Sequence, residues 1–400
     1  MCIRDRNKIT QVGTDIYLIG CVIGLLVIPV CRFFGNLSPY SVVIYLYLIA
    51  MAGSQLYLCD LRGKELLLQF SIGNILQTFL VAVLNIVFLV VLKQGVQGYF
   101  SAYTIACFIT MVYALVIGKG YKSFRLRKMD VQLFKSMAKY SIVLIPNSFM
   151  WWIMNSSDRI MVSAMVGVAA NGIYAISYKL PSVVTIAAGV FTQAWSYSAI
   201  KEEGAKDEAK FNNRMFVYLI SVSMLVGIAL CTMMKPFLKI YVSDAYFEAW
   251  KYTPFLIIGC VYLTLGSFMA TSYTVHKDSF GFLFSAIFGA VFNIALNYVL
   301  IPRIQVYGAA MATCISYILV FAFRLIHTRK YLKYDIRNKE FIFGSIMLFA
   351  SAALMFADSM AGQMIQAAIL LISVVFYLRS ERELIARIFV AIRAYFSKKK

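Results

Sequence analysis

Apolar residues run through this chain in twelve long blocks, and polar residues collect in the short gaps between them. The blocks fall near 15–34, 40–58, 67–92, 99–118, 140–165, 172–199, 215–234, 252–272, 280–301, 306–326, 341–357 and 362–378. Each approaches the roughly 20 apolar residues that a helix needs to cross a bilayer. With no water in the hydrocarbon, a spanning segment must satisfy its own backbone hydrogen bonds, so such blocks predict helices. The pattern therefore predicts an all-α polytopic membrane protein of twelve spans with almost no soluble part.

Composition agrees, with 61% hydrophobic and only 14% charged residues, against about half and about a quarter in soluble domains. The net charge of +20 raises nucleic acid as a partner, but the placement of the charge speaks against it. Of the 38 Lys and Arg, 30 fall in one alternate set of gaps and in the tail, Arg324 and the Lys119–Lys139 segment among them. Six fall in the other set, and Arg159 and Lys179 lie inside blocks. The positive-inside rule then places both termini in the cytoplasm. The basic surplus reads as topology and contact with anionic membrane lipids, with no nucleic-acid partner.

The eight Cys are scattered without CxxC or Cys/His spacing, so neither a metal site nor a disulfide framework is implied. His276 and His327 read as solvated loop residues at span ends. There is no GxSxG, HExxH, P-loop or dinucleotide fingerprint, so the chain reads as a non-enzyme without a cofactor. Without an ATP site, pumping would draw on an ion gradient or on the substrate's own gradient.

Residues 85–121 repeat at 295–331, an offset of 210. Leu92-Lys93-Gln94-Gly95-Val96-Gln97-Gly98 lies against Pro302-Arg303-Ile304-Gln305-Val306-Tyr307-Gly308, and Ala102 meets Ala312. In both copies a span ends, a short turn follows, and Gly opens the next span. Transporters are often built from such halves. The second copy begins with two further spans, 140–165 and 172–199, whose counterparts would precede residue 1. The expectation is an N-terminally shortened chain whose complete form has about 14 helices. The opening Met1-Cys2-Ile3-Arg4-Asp5-Arg6 resembles a spurious hexapeptide found at the ends of metagenomic gene predictions. The expected organisation is a stub at 1–14, an incomplete four-helix lobe at 15–118, and a basic amphipathic cytoplasmic linker at 119–139. A six-helix lobe at 140–330, an extra pair at 331–378 and a basic tail at 379–400 follow.

Charge inside the membrane is costly and marks functional candidates. Asp158 and Arg159 lie in one span and Lys179 in the next, which runs antiparallel. At 1.5 Å per residue, Asp158 is about 27 Å into its span and Lys179 about 10 Å below the end of the next, at similar depth. Arg159 and Lys179 would attract an anionic group, because Arg suits phosphate bidentately and Lys acts as a point charge. Asp158 would set their charge or orientation. The structural alternative is an Asp158–Lys179 or Asp158–Arg159 ion pair that only locks the bundle. Asn155, Tyr178, Gln193, Tyr174, Trp151, Trp152 and Asn147 could stack on or hydrogen-bond sugar, although Trp and Tyr, Tyr174 included, also mark membrane interfaces. Asn293 and Asn297, one turn apart, could simply bridge helices. Pro146 and Pro181 could bend their spans.

Pro146-Asn147-Ser148, Asn155-Ser156-Ser157-Asp158-Arg159 and Gly172-Ile173-Tyr174 through Tyr178-Lys179 resemble the seventh and eighth spans of polysaccharide exporters and O-antigen flippases (Wzx-type). Asn293 through Asn297-Tyr298-Val299-Leu300-Ile301-Pro302 and Gly308-Ala309-Ala310-Met311-Ala312-Thr313 resemble that family's eleventh-to-twelfth span signature. This family shares a superfamily with MATE exporters and the lipid II flippase. The resemblance implies a MATE-like two-lobed helix bundle working by alternating access. The implied cargo is an undecaprenyl-diphosphate-linked oligosaccharide moved to the outer leaflet of a bacterial inner membrane. Cavity Arg and Lys would receive its diphosphate or acidic sugars. Proton or sodium coupling and contact with glycan polymerase machinery belong to the same expectation. The competing readings are an ion-coupled MATE-type multidrug or cation antiporter, which would use acidic groups such as Asp158, and a non-transporting membrane scaffold.

Overall fold

A computed structural model describes residues 3–33, 35–121, 130–201, 208–357 and 359–382. Helices account for all twelve predicted spans, in the order α1 (Ile3–Gly24), α2 (Val27–Phe33), α3 (Ser41–Gly63), α4 (Leu67–Asn85), α5 (Gly95–Ile117), α6 (Val131–Met165), α7 (Val168–Ser177), α8 (Pro181–Lys201), α9 (Glu208–Tyr241), α10 (Thr253–Val275), α11 (Ser279–His327), α12 (Lys339–Leu354) and α13 (Met360–Ser380). Among the described residues eight helices are long and apolar enough to cross a membrane, and the bent pair α7 and α8 makes a ninth when counted as one broken span. α11 supplies two spans by itself. Its backbone is non-helical at Ile304 and Gln305, and the contacts of Arg324 with Ser285 and of Phe288 with Phe323 fold it into an antiparallel hairpin. α6 and α12 make up the twelve. The protein is a multi-pass, all-helical membrane protein.

The chain forms two compact units, Met1–Lys139 and Tyr140–Lys400. In the first, α3 and α5 pack around Tyr57, Leu58, Leu61 and Ala114. α1 begins well before the predicted span at 15, and Thr10, Val12 and Thr14 are buried. The helix extends because its two buried threonines find polar partners on α3: Thr10 donates to Asp60, and the Thr14 and Tyr57 hydroxyls lie 3.3 Å apart. The base of the unit is tied by Lys64, whose ammonium donates to Asp60 (2.6 Å) and to the Gly118 carbonyl (2.7 Å).

In the second unit α10 is buried almost all round, as a helix without a polar face should be. The segment expected as a separate linker departs from expectation. Residues 122–129 lie outside the described set, and 131–139 are the first turns of α6, because nothing before Pro146 interrupts the helix. α6 runs on through Pro146, whereas the chain does break before Pro181. Proline disfavours helical backbone at the residue before it and lacks the N–H for the preceding turn. Residues 178–180 therefore form a turn, Pro181 starts α8, and α7 and α8 are bent by 49°.

The internal repeat is visible element by element. α3 and α10 are both 23 residues long and begin 212 positions apart. The turns that follow carry positive φ at Glu65 (65°) and Lys277 (53°), also 212 apart. Gly98 and Gly308 each press on the end of the preceding span. A Cβ on Gly98 would lie 3.1 Å from Phe88, and one on Gly308 2.5 Å from the Leu300 backbone. Gly98 and Gly308 are only 210 apart, so the turn before them is two residues longer in the first copy, where the chain widens into a π-helical turn over Ile86–Val91. The offset is 212 before the turn and 210 after it.

Candidate functional site

Three helices of the second unit, α6, α7 and the second arm of α11, meet along a polar seam. Each contributes a pair of residues one turn apart: Asn155 and Asp158 on α6, Tyr174 on α7 with Tyr178 at its C-terminal cap, and Thr313 and Tyr317 on α11. Spacings of three or four residues keep both members of a pair on one helix face. The pairs join into two rungs. In one, Asp158 accepts hydrogen bonds from the Tyr174 hydroxyl (2.5 Å), the Thr313 hydroxyl (3.3 Å) and the Arg159 peptide N–H (2.8 Å). In the other, the Tyr317 hydroxyl donates to Asn155 Oδ1 (2.9 Å) and lies 3.0 Å from the Tyr178 hydroxyl. Asn155 Nδ2 donates back to the Trp151 carbonyl (2.7 Å). Beside them, Ser157 donates to Asn293 Oδ1 (2.7 Å), which also accepts from Asn297 (3.1 Å). Asn293 thus bridges α6 and α11, and Asn297 reaches it from the next turn of the same helix arm.

Asp158 is 2% exposed and Tyr174 is fully buried. Tyr174 is thus a buried donor to a carboxylate, and the interfacial and sugar-stacking readings of it do not hold. An apolar interior leaves a carboxylate no water, so its oxygens must find donors in neighbouring helices. Among the described residues Asp158 forms no ion pair, neither with Lys179 nor with the Arg159 side chain.

The two cations are both exposed. The Arg159 guanidinium lies 5.6 Å from the centre of the Tyr178 ring, and Lys179 follows Tyr178 directly. The structure therefore brings Arg159 to the Tyr178 ring, with Lys179 the next residue along the chain. Lys179 sits in the α7–α8 break, not within a continuous span, because Pro181 ends the helix there. Gln193 lies on α8, and its side chain is outside the described residues. Asn147 is 5% exposed, and its Oδ1 has no partner among the described residues.

Thr313, Tyr317 and Ser157 complete the seam and were not singled out from sequence. Their signal was present as hydroxyls one turn apart in an apolar block. Arg324 is a larger surprise. It is 1% exposed, far from the solvated gap residue that charge sorting suggested. His327 also differs from a solvated residue: its Nδ1 lies 2.9 Å from the Tyr273 hydroxyl, and its ring stacks on Phe323.

No protein-family model matches the chain, and no curated protein matches it in sequence. Solved structures do. A mutant of the MATE transporter VcmN from Vibrio cholerae matches with a TM-score of 0.68 at 12% identity, over 84% of this chain and 83% of that one. The lipid II flippase MurJ in an inward closed conformation matches with a TM-score of 0.60 at 15% identity, over 96% of this chain and 86% of the flippase. A MOP-superfamily transporter from Pyrococcus furiosus, described as having a binding pocket of reversed polarity, matches with a TM-score of 0.60 at 14% identity, over 87% and 80% of the two chains. The chain has the MATE-like fold that these transporters share.

Proposed function

We propose that this chain works as a flippase for an undecaprenyl-diphosphate-linked oligosaccharide, moving an O-antigen, capsule or exopolysaccharide unit from the cytoplasmic to the outer leaflet of a bacterial inner membrane. Both termini are cytoplasmic in this reading, and transport proceeds by alternating access. The observation that carries it is the division of charge at the seam. Arg159, against the Tyr178 ring, and Lys179, the residue after Tyr178, are exposed, while the carboxylate of Asp158 is sealed under Tyr174 and Thr313. The accessible charge is positive, which suits a diphosphate or an acidic sugar. Tyr178 and Asn155 offer a ring and an amide to the glycan, and Gln193 would join them.

The second reading, an ion-coupled MATE-type multidrug or cation antiporter, rests on Asp158 as the acidic group and on the fold. A cationic substrate would first have to displace the Tyr174 and Thr313 hydroxyls.

Neutralising both cations with Arg159→Gln and Lys179→Gln should abolish glycan export from cells while leaving the protein folded, since neither side chain is buried. Normal export by the double variant would sink the reading. Loss of drug efflux in Asp158→Asn with glycan export intact would favour the antiporter.

A further inference from the structure

Arg324 is among the largest fully buried side chains, and it is charged. Its neighbours are all neutral. Nε and Nη2 donate to the Ser285 hydroxyl at 3.2 and 3.1 Å, and Nη1 donates to the Gly266 carbonyl at 3.0 Å. The ring of Trp151 lies 5.0 Å from the guanidinium carbon and that of Phe282 5.5 Å. Among the described residues Arg324 forms no ion pair. A guanidinium has five N–H donors, and these three contacts leave two over. Burying a charge without a counter-charge is costly, so such a residue needs a reason.

The fold does not supply one. In the first repeat the position equivalent to Arg324 is Ala114, at the 210 offset that holds after the second turn. The positions equivalent to Ser285 and Gly266 are Gly73 and Ser54, at the 212 offset that holds before it. Ala114 and Ser54 are buried, and a Cβ on Gly73 would lie 2.6 Å from Leu58. The same three-helix packing is thus built there from small side chains, without a guanidinium.

The cover over Arg324 belongs to the candidate site. Trp151 is on α6, one turn before Asn155, and its carbonyl accepts from Asn155. Arg159 lies eight residues, or about 12 Å, further along the same helix. Pro146, less than two turns before Trp151, removes a backbone hydrogen bond and gives α6 a place to flex.

We infer that Arg324 is a concealed anion station: when α6 moves and lifts Trp151, the guanidinium receives the phosphate of the incoming substrate before Arg159 and Lys179 do. The inference rests on the flippase reading and adds a second binding position to it. Trp151 is then a lid, and its ring holds the cation in the absence of an anion.

The test uses the full chain in phosphatidylcholine nanodiscs, with an arginine-selective dicarbonyl reagent, mass spectrometry of the Arg324 peptide, and inorganic pyrophosphate as the probe. Trp151→Ala should raise modification of Arg324 well above wild type, and pyrophosphate should protect it. Arg324→Met should bind pyrophosphate about tenfold more weakly, the scale of one lost charge-assisted contact. Arg324 that stays unreactive in Trp151→Ala, or reacts without protection, would overturn the inference. So would protection by added anionic lipid but not by pyrophosphate, or unchanged affinity in a folded Arg324→Met. If Arg324→Met does not fold, the Trp151→Ala labelling decides alone. No glycan is needed, so a failed flippase reading in the export assay stays distinguishable from a failed anion station.

Discussion

At the scale of single residues, the seam separates a buried carboxylate from exposed cations, and the two should respond differently to substitution. Tyr174→Phe removes a donor to Asp158 inside an apolar bundle. Leaving a buried polar group short of a partner costs about 1–3 kcal/mol, so the second unit should melt measurably lower in detergent. Arg159→Gln and Lys179→Gln should leave that melting transition in place, because both side chains are exposed. Asp158, Arg159 and Lys179 were legible in the sequence because charge within an apolar block stands out against its surroundings. The role of Tyr174 was not legible, since a tyrosine near a span end has the same signature whether it faces headgroups or a carboxylate. Arg324 escaped for a related reason. It lies three residues from the end of α11, where a cation ordinarily reaches for the interface, and only the packing of three helices shows that it is enclosed.

At the scale of elements, hydropathy located the spans because a bilayer permits few alternatives to a helix of fixed length. It did not reveal how the helices begin, break or join. The α11 turn depends on local backbone. Gln305 has φ +51° and ψ −127°, a sparsely populated conformation that costs a side-chain-bearing residue about 1–3 kcal/mol. Gln305→Gly should therefore raise the melting temperature. Gly308→Ala should lower it, because a Cβ there meets the Leu300 carbonyl carbon and oxygen at 2.5 Å. The start of α11 is pinned by Asp278, which caps the helix through the Gly281 N–H (2.8 Å) and accepts from Lys330 (2.9 Å) and Tyr331 (2.7 Å). Burial pushes its carboxyl upward, but these hydrogen bonds outweigh burial and bring it from 3.8 down to about 2. A carboxyl lowered in the folded state stabilises the fold above the unfolded value and loses that contribution as pH falls through the folded one. Stability should therefore drop between about pH 4 and pH 2, and Asp278→Asn should flatten this part of the pH–stability curve.

At the scale of the whole molecule, the repeat supplies a comparison within one chain: what both copies share is needed to build the fold, and what one copy alone carries is available for function. The 23-residue helices, the positive-φ turns and the glycine at the head of the last span are shared. The guanidinium of Arg324 is not. It has an electrical consequence as well. In the substrate-free steps of the cycle no counter-charge moves beside it, so the membrane potential acts on it, with about 2.3 kcal/mol per 100 mV for a full crossing and a proportionate share for a partial one. An interior-negative potential draws Arg324 toward the cytoplasm and so favours whichever state of the cycle holds it nearer that side. In proteoliposomes under an imposed diffusion potential, wild-type turnover should vary with voltage, and the Arg324→Met protein should lose the part of that dependence that this one side chain carries.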